Sequence, residues 1–219
     1  DYRPLGRTGM SVSQMCLGAM MFGAFGNSDH DDAVKIIHKA LDAGINFIDT
    51  ADGYSAGESE EILGEALAGG RRESVVLAVK FGVPFGDDDP NHRGASRRWI
   101  TEAVEGSLRR LRTDFIDLYQ MHQFDPTVTH DETLSALDHL VRVGKVRYLG
   151  CSNYLAYQLA RAIGRSEALG LFRYECVQPR YNLLYRNAER ELFPLCLEDG
   201  VGVIPYNPLA GGFLSGKHR

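Results

Sequence analysis

No CxxC pair occurs in this sequence; its four cysteines, Cys16, Cys151, Cys176 and Cys196, are widely spaced. Three fall in apolar, strand-like contexts and one on a helix, so reduced core thiols are expected rather than a disulfide or zinc framework. The seven histidines include no HExxH and no other ligand-spaced pair, so no metal site is expected. No apolar run is long enough to span a bilayer, and nothing resembles a signal peptide. Excess positive charge is also missing. The net charge is −5, and the arginine pairs at 71/72, 97/98 and 109/110 sit beside acidic residues on predicted helices, where solvated faces account for them. Binding a phosphate backbone needs a one-sided basic surface, so nucleic acid is not an expected partner, and neither is a membrane. These absences describe a cytoplasmic protein and say nothing of its oligomeric state.

What is present is regular. At 219 residues the chain suffices for one large domain with a filled core, over residues 1–219. Short β-rich runs are expected as strands at Ser13–Leu17, Phe47–Ala51, Val75–Phe81, Ile116–His122, Val146–Cys151, Cys176–Gln178 and Gly202–Tyr206. Between them lie amphipathic helices. Ala33, Ile36, Ile37, Ala40 and Leu41 follow a helical stripe that stops at Gly44, and Thr129 with Glu132 forms a capping-box pattern. Ser59, Asn153 and Asn187 are candidate caps for three more helices.

Strands recur about every thirty residues, the length of a strand-plus-crossover unit, and such units build parallel sheets. An open doubly wound sheet would show GxGxxG after its first strand; Gly18-Ala-Met-Met-Phe-Gly23 does not match. Polar residues are spread over several strand ends, which favours a closed (β/α)8 TIM barrel in the α/β class. Seven strands are visible where such a barrel needs eight and about 250 residues. The chain is therefore expected to be a segment of a longer protein, lacking the last strand and the C-terminal part.

Three polar residues sit within apolar strands: Asp49 in FIDTA, Lys80 in VVLAVKF and His122 in DLYQMH, with Tyr54 five residues beyond Asp49. Side chains alternate along a strand, so Phe47, Asp49 and Ala51 share one face, as do Val76, Ala78 and Lys80, and Leu118, Gln120 and His122. If those faces point into the barrel, the polar groups converge at its mouth. Burying a carboxylate, an ammonium and an imidazole together costs several kcal/mol unless they satisfy one another. Asp49 with Lys80 alone is as readily a structural ion pair, and His122 alone a core histidine. The four together suit reduction of a carbonyl group, which leaves an alkoxide needing a proton and a positive field. Tyr54 can supply the proton, with Lys80 lowering its pKa, Asp49 holding Lys80 charged, and His122 orienting the substrate oxygen. A Schiff-base aldolase using Lys80 fits less well, because Asp49 raises the lysine pKa instead of lowering it.

The stretches RPLGRTGMSVSQMCLGAMMFG, AGINFIDTADGYSAGESEEILGEAL, VVLAVKFG, SLRRLRTDFIDLYQMH, GKVRYLGCSN and YNPLAGGFLSGK together resemble the aldo-keto reductases over essentially the whole chain. The resemblance implies a (β/α)8 barrel, NADPH-dependent reduction of aldehydes or ketones, and a tetrad of Asp49, Tyr54, Lys80 and His122 with Tyr54 as general acid. It further implies that Ser152, Asn153 and Gln178 hold the nicotinamide carboxamide, that Tyr206 stacks on the ring, and that Asn207, Pro208, Leu209, Gly211 and Lys217 follow the pyrophosphate. A helix cap is the other account of Ser152 and Asn153, and both roles can coexist; a flexible exposed tail accounts equally well for residues 207–217. Some relatives are channel-associated β subunits, so a redox-sensing regulatory subunit with little turnover is the alternative. Met21, Phe22, Tyr54, Phe81 and Phe85, with Trp99 less firmly, are expected to line an apolar mouth for a small carbonyl compound. In the loop GDDDPNHRG, Asp87, Asp88 and Asp89 lack the rest of a calcium ligand series and are expected to be solvated.

Overall fold

A computed structural model describes residues 1–85 and 89–217. The chain opens with an antiparallel hairpin, β1 (Tyr2–Pro4) and β2 (Ser11–Ser13). Seven strands then form one parallel sheet in chain order: β3 (Leu17–Gly18), β4 (Phe47–Ala51), β5 (Val76–Phe81), β6 (Ile116–Met121), β7 (Val146–Ser152), β8 (Tyr174–Gln178) and β9 (Gly202–Val203). Each crossover carries a helix: α1 (His30–Asp42), α2 (Glu58–Ala66), α3 (Arg97–Leu111), α4 (His130–Arg142), α5 (Ala156–Leu169) and α6 (Leu192–Asp199). Sequential neighbours joined by helices are the plan of a (β/α)8 barrel, with seven strands among the described residues. No helix among them is long and apolar enough to cross a membrane.

Alternation along the strands divides the core in two. Ile48, Leu77, Val79, Phe81, Tyr119 and Leu149 face outward against the helices, while Phe47, Ala78, Leu118 and Cys176 form an inner cluster. Leu5 and Val12 of the hairpin complete that inner cluster, so the hairpin plugs the end opposite the strand C-termini. It is tied on both sides. Ser13 N donates to Asn46 Oδ1 at 2.8 Å, Tyr148 Oη donates to Thr8 O at 2.7 Å, and the backbone of Gly6 (φ 55°) packs so close to Gly202 that a Cβ would lie 2.8 Å from its nitrogen.

Several local expectations change. Ser13–Leu17 is not one strand: Ser13 Oγ donates to Met15 O, turning the chain between β2 and β3. Ser59 is inside α2 rather than capping it, and its Oγ donates to Ala19 O, pinning helix to sheet. Asn153 adopts φ 58° and caps nothing; α5 starts with Leu155 N donating to Gln158 Oε1. Asn187 opens a short 3-10 turn ahead of α6, which begins at Leu192. Thr129 does cap α4, accepting from Glu132 N. Two arginines expected on solvated faces are instead drawn into ion pairs: buried Arg72 with Asp117 at 2.8 Å, and partly buried Arg110 with the fully buried Glu60 at 2.7 Å. All four cysteines are free thiols.

Candidate active site

The inward faces of β4, β5, β6 and β8 meet at Asp49. Its Oδ1 accepts from Lys80 Nζ, while Oδ2 accepts from Gln120 Nε2 at 3.0 Å and Gln178 Nε2 at 2.9 Å. Lys80 is fully buried. Burial pulls its pKa down, but the charge of Asp49 and the neighbouring Tyr54 outweigh that and hold the ammonium above the ordinary lysine range. Gln120 carries no sequence motif; its one signal is its place on the inward face two residues before His122.

Tyr54 sits in the turn after β4, with Lys80 Nζ 5.0 Å from its ring centroid and the His122 ring 5.8 Å away, edge to face. The turn is strained: Ser55 (φ 49°) and Ala56 (φ 54°) are both left-handed, at about 1–2 kcal/mol each for residues with a Cβ. Clamps from residues 22–30 hold it, because Phe25 N donates to Ser55 Oγ at 3.0 Å and His30 Nε2 lies 2.7 Å from Glu58 Oε1. Burial raises the Tyr54 hydroxyl above the usual tyrosine pKa, and the charge and hydrogen bond of Lys80 pull the other way without overcoming it. The lowered pKa expected from the sequence is thus not found, because burial outweighs Lys80.

His122 follows the end of β6. Burial first, and then the Lys80 charge, lower its pKa to about 4, so the ring is neutral at physiological pH. Its Nδ1 is buried without a hydrogen-bond partner among the described residues.

Beside it, Asn153 Nδ2 donates to His122 O at 3.0 Å and to Ser152 Oγ at 3.1 Å, and Asn153 Oδ1 accepts from Tyr206 Oη at 2.8 Å. Ser152 Oγ donates to Gln178 O. Gln178, Ser152, Asn153 and Tyr206 therefore form one hydrogen-bonded rim continuous with Asp49. Tyr206 shows 36% of its surface. Residues 207–217 lie further out and make no hydrogen bond to the four central residues. Asn207 (φ 62°) accepts from Gly211 N at 2.7 Å, Pro208 and Leu209 are exposed, and Lys217 Nζ folds to 3.1 Å from where a Cβ on Gly212 would be.

The apolar mouth differs from expectation. Phe22, Phe81 and Trp99 are buried in the outer core, and Phe85 packs against Trp99 and Arg110 on the helix side. Alternation explains Phe81: with Lys80 inward it must face out. Met21 is exposed. Asp87 and Asp88 lie outside the described residues, and among those described no group of three or more His, Cys, Asp or Glu could hold a metal.

An exposed aromatic face flanked by amides and a hydroxyl, with a glycine-bearing turn and a lysine beyond it, fits a nicotinamide dinucleotide by donor chemistry. Ser152, Asn153, Gln178 and Tyr206 would hold the nicotinamide end, and residues 207–217 the phosphates.

Known proteins resemble this chain over nearly its whole length. The chain is 45% identical over 226 residues to "Uncharacterized oxidoreductase YrpG" of Bacillus subtilis (strain 168), covering 99% of this chain and 69% of the relative. It is 41% identical to an aldo-keto reductase of Fusarium vanettenii (98% and 65% covered). It is 38% identical to a "Probable voltage-gated potassium channel subunit beta" of Oryza sativa subsp. japonica (100% and 66% covered). The chain thus spans about two thirds of the length of these relatives. The profile of the aldo/keto reductase family, whose members generally use a nicotinamide cofactor, matches residues 14–219. With seven parallel strands, their intervening helices and relatives of this kind, the chain belongs to the aldo/keto reductase family.

Proposed function

We propose that the protein reduces small aldehydes or ketones to alcohols with NADPH, Tyr54 acting as the general acid. The observation that carries this is the convergence of Asp49, Tyr54, Lys80 and His122 at the strand ends. The dinucleotide, when bound, supplies the hydride. As negative charge develops on the carbonyl oxygen, the Tyr54 hydroxyl gives it a proton. The Lys80 ammonium stabilises the phenolate left behind, and Asp49 keeps that ammonium charged and aimed. Neutral His122 donates a ring N–H to the same oxygen and fixes its approach. Ser152, Asn153 and Gln178 orient the nicotinamide end, and Tyr206 offers its ring face. Asn207, Pro208, Leu209 and Gly211 line the phosphates, with Lys217 supplying charge. Four free thiols support a cytoplasmic setting.

In the full-length protein, Tyr54→Phe should lower NADPH oxidation by an aromatic aldehyde about 10²–10⁴-fold. The dissociation constant for NADPH should not change. Turnover retained in the variant would overturn the role of Tyr54, and running NADH in parallel measures the cofactor preference.

A second reading is favoured by one observation, the relative described as a potassium channel β subunit. In that reading the pocket senses the redox state of its cofactor for a membrane partner. Copurification with such a partner, with negligible turnover on varied carbonyls, would select it.

A further inference from the structure

Behind the turn that carries Tyr54 lies a buried polar cluster that the proposed chemistry does not use. Asp52, the residue after β4, is fully buried. Its backbone N donates to Lys80 O at 3.0 Å, its Oδ1 accepts from Gly53 N at 2.6 Å, and its Oδ2 has no hydrogen-bond partner among the described residues. Glu60 of α2 is also fully buried, with Oε2 held by Arg110 and Oε1 without a partner among the described residues. Arg110 in turn presses on the far end of the turn, where a Cβ on Gly57 would lie 2.7 Å from its Cδ. The strained segment bearing Tyr54 is therefore held at one end by Asp52 and at the other by the Glu60–Arg110 pair.

Burial, and then the charge of Glu60, raise the pKa of Asp52 to about 8. The groups facing it are Glu60 from α2, Arg110, Arg109 and Glu102 from α3, Tyr119 from β6, and His92 from the loop before α3. A cavity of about 220 Å³ on the helix side, lined by Asp52, Trp99, Glu102 and Arg109 among others, offers the carboxyl a route for proton exchange.

We propose that Asp52 is a positioning residue for Tyr54: uncharged, it lets the turn close beside Glu60 and Arg110, and ionised, it is repelled by Glu60 and the turn loosens. This inference rests on Tyr54 being the proton donor. It assigns the alkaline fall in activity expected below to Asp52 rather than to Tyr54, whose own pKa burial raises above the usual tyrosine value.

The test uses the full-length protein, with Asp52→Asn and Asp52→Ala beside wild type, and follows NADPH-dependent aldehyde reduction between about pH 6 and pH 10. Wild-type kcat should fall through about pH 8, while Asp52→Asn, an uncharged isostere, should stay within about threefold of wild type at pH 7 and lose that fall. Asp52→Ala should lose about tenfold or more in kcat, with little change in KM for cofactor. An unchanged alkaline limb in Asp52→Asn, or wild-type kcat in Asp52→Ala, would overturn the proposal. A second readout does not need turnover: the ring signal of ¹³C-tyrosine at position 54, identified by its loss in Tyr54→Phe. That signal should shift near pH 8 in wild type and not in Asp52→Asn; no shift in wild type overturns the proposal. Absence of carbonyl reduction with an intact shift would instead refute the functional reading alone.

Discussion

Gln178 of β8 donates to Asp49 of β4 at 2.9 Å, joining two strands that are not neighbours in the sheet. The sheet curls far enough for its inner face to meet itself, and one carboxylate gathers Lys80, Gln120 and Gln178. Every oxygen of Asp49 is thereby used within the protein. Its role is to fix the others in place.

Replacing Asp49 by Ala leaves a buried ammonium without its counter-charge and two amides without an acceptor. Stability should fall by about 3–5 kcal/mol. Lys80→Met leaves Asp49 as a buried carboxylate without its cation but still holding both amide donors, so it should cost less than Asp49→Ala. Urea unfolding of the two variants side by side measures the difference.

Gly64 lies within α2, where Ala normally stabilises a helix. Here the added Cβ would lie 2.4 Å from Arg110 O, the backbone of α3. Gly64→Ala should destabilise by about 1–3 kcal/mol, as overpacking does, despite the better helix propensity. Chemical denaturation gives the sign directly.

Ala56 presents the opposite case. It is exposed and left-handed. Ala56→Gly should stabilise by about 1 kcal/mol, or about 2–4 °C in Tm, because the αL penalty exceeds the entropy that glycine adds to the unfolded chain. Calorimetry would show it.

His122 titrates near 4 in the folded chain and near 6.5 when unfolded. Between these values the unfolded state binds more protons, so stability rises with pH. The contribution of neutral His122 is complete above pH 6.5 and is lost as pH falls through 4. His122→Asn should flatten the wild-type stability profile by about 3 kcal/mol across that window. The ring resonances of His122 should show no titration between about pH 6 and 8 in wild type.

The strand-and-helix rhythm was legible because each unit repeats the same alternation and the same caps, as in FIDTA and in the stripe ending at Gly44. The inward faces carrying Asp49, Lys80 and His122 followed from period two alone. What escaped the sequence was settled by contacts far apart in the chain. Gln120 looks like any strand glutamine until Asp49 is opposite it. Arg72 and Arg110 look solvated until Asp117 and Glu60 are brought to them. Phe85 looks like a mouth residue until Trp99 and Arg110 of α3 are brought to it. The opening hairpin has only short, exposed β1 to announce it, and its partners lie across almost the whole chain.

That hairpin also bears on how the molecule assembles. Gly6 clasps Gly202, and Thr8 receives Tyr148, while Asn46 grips the other arm. Docking the plug must therefore wait until the last visible strand is in place, because half of its seat does not exist before then. Contacts so remote in sequence close loops spanning most of the chain, and their entropy cost falls on the step that seats the plug.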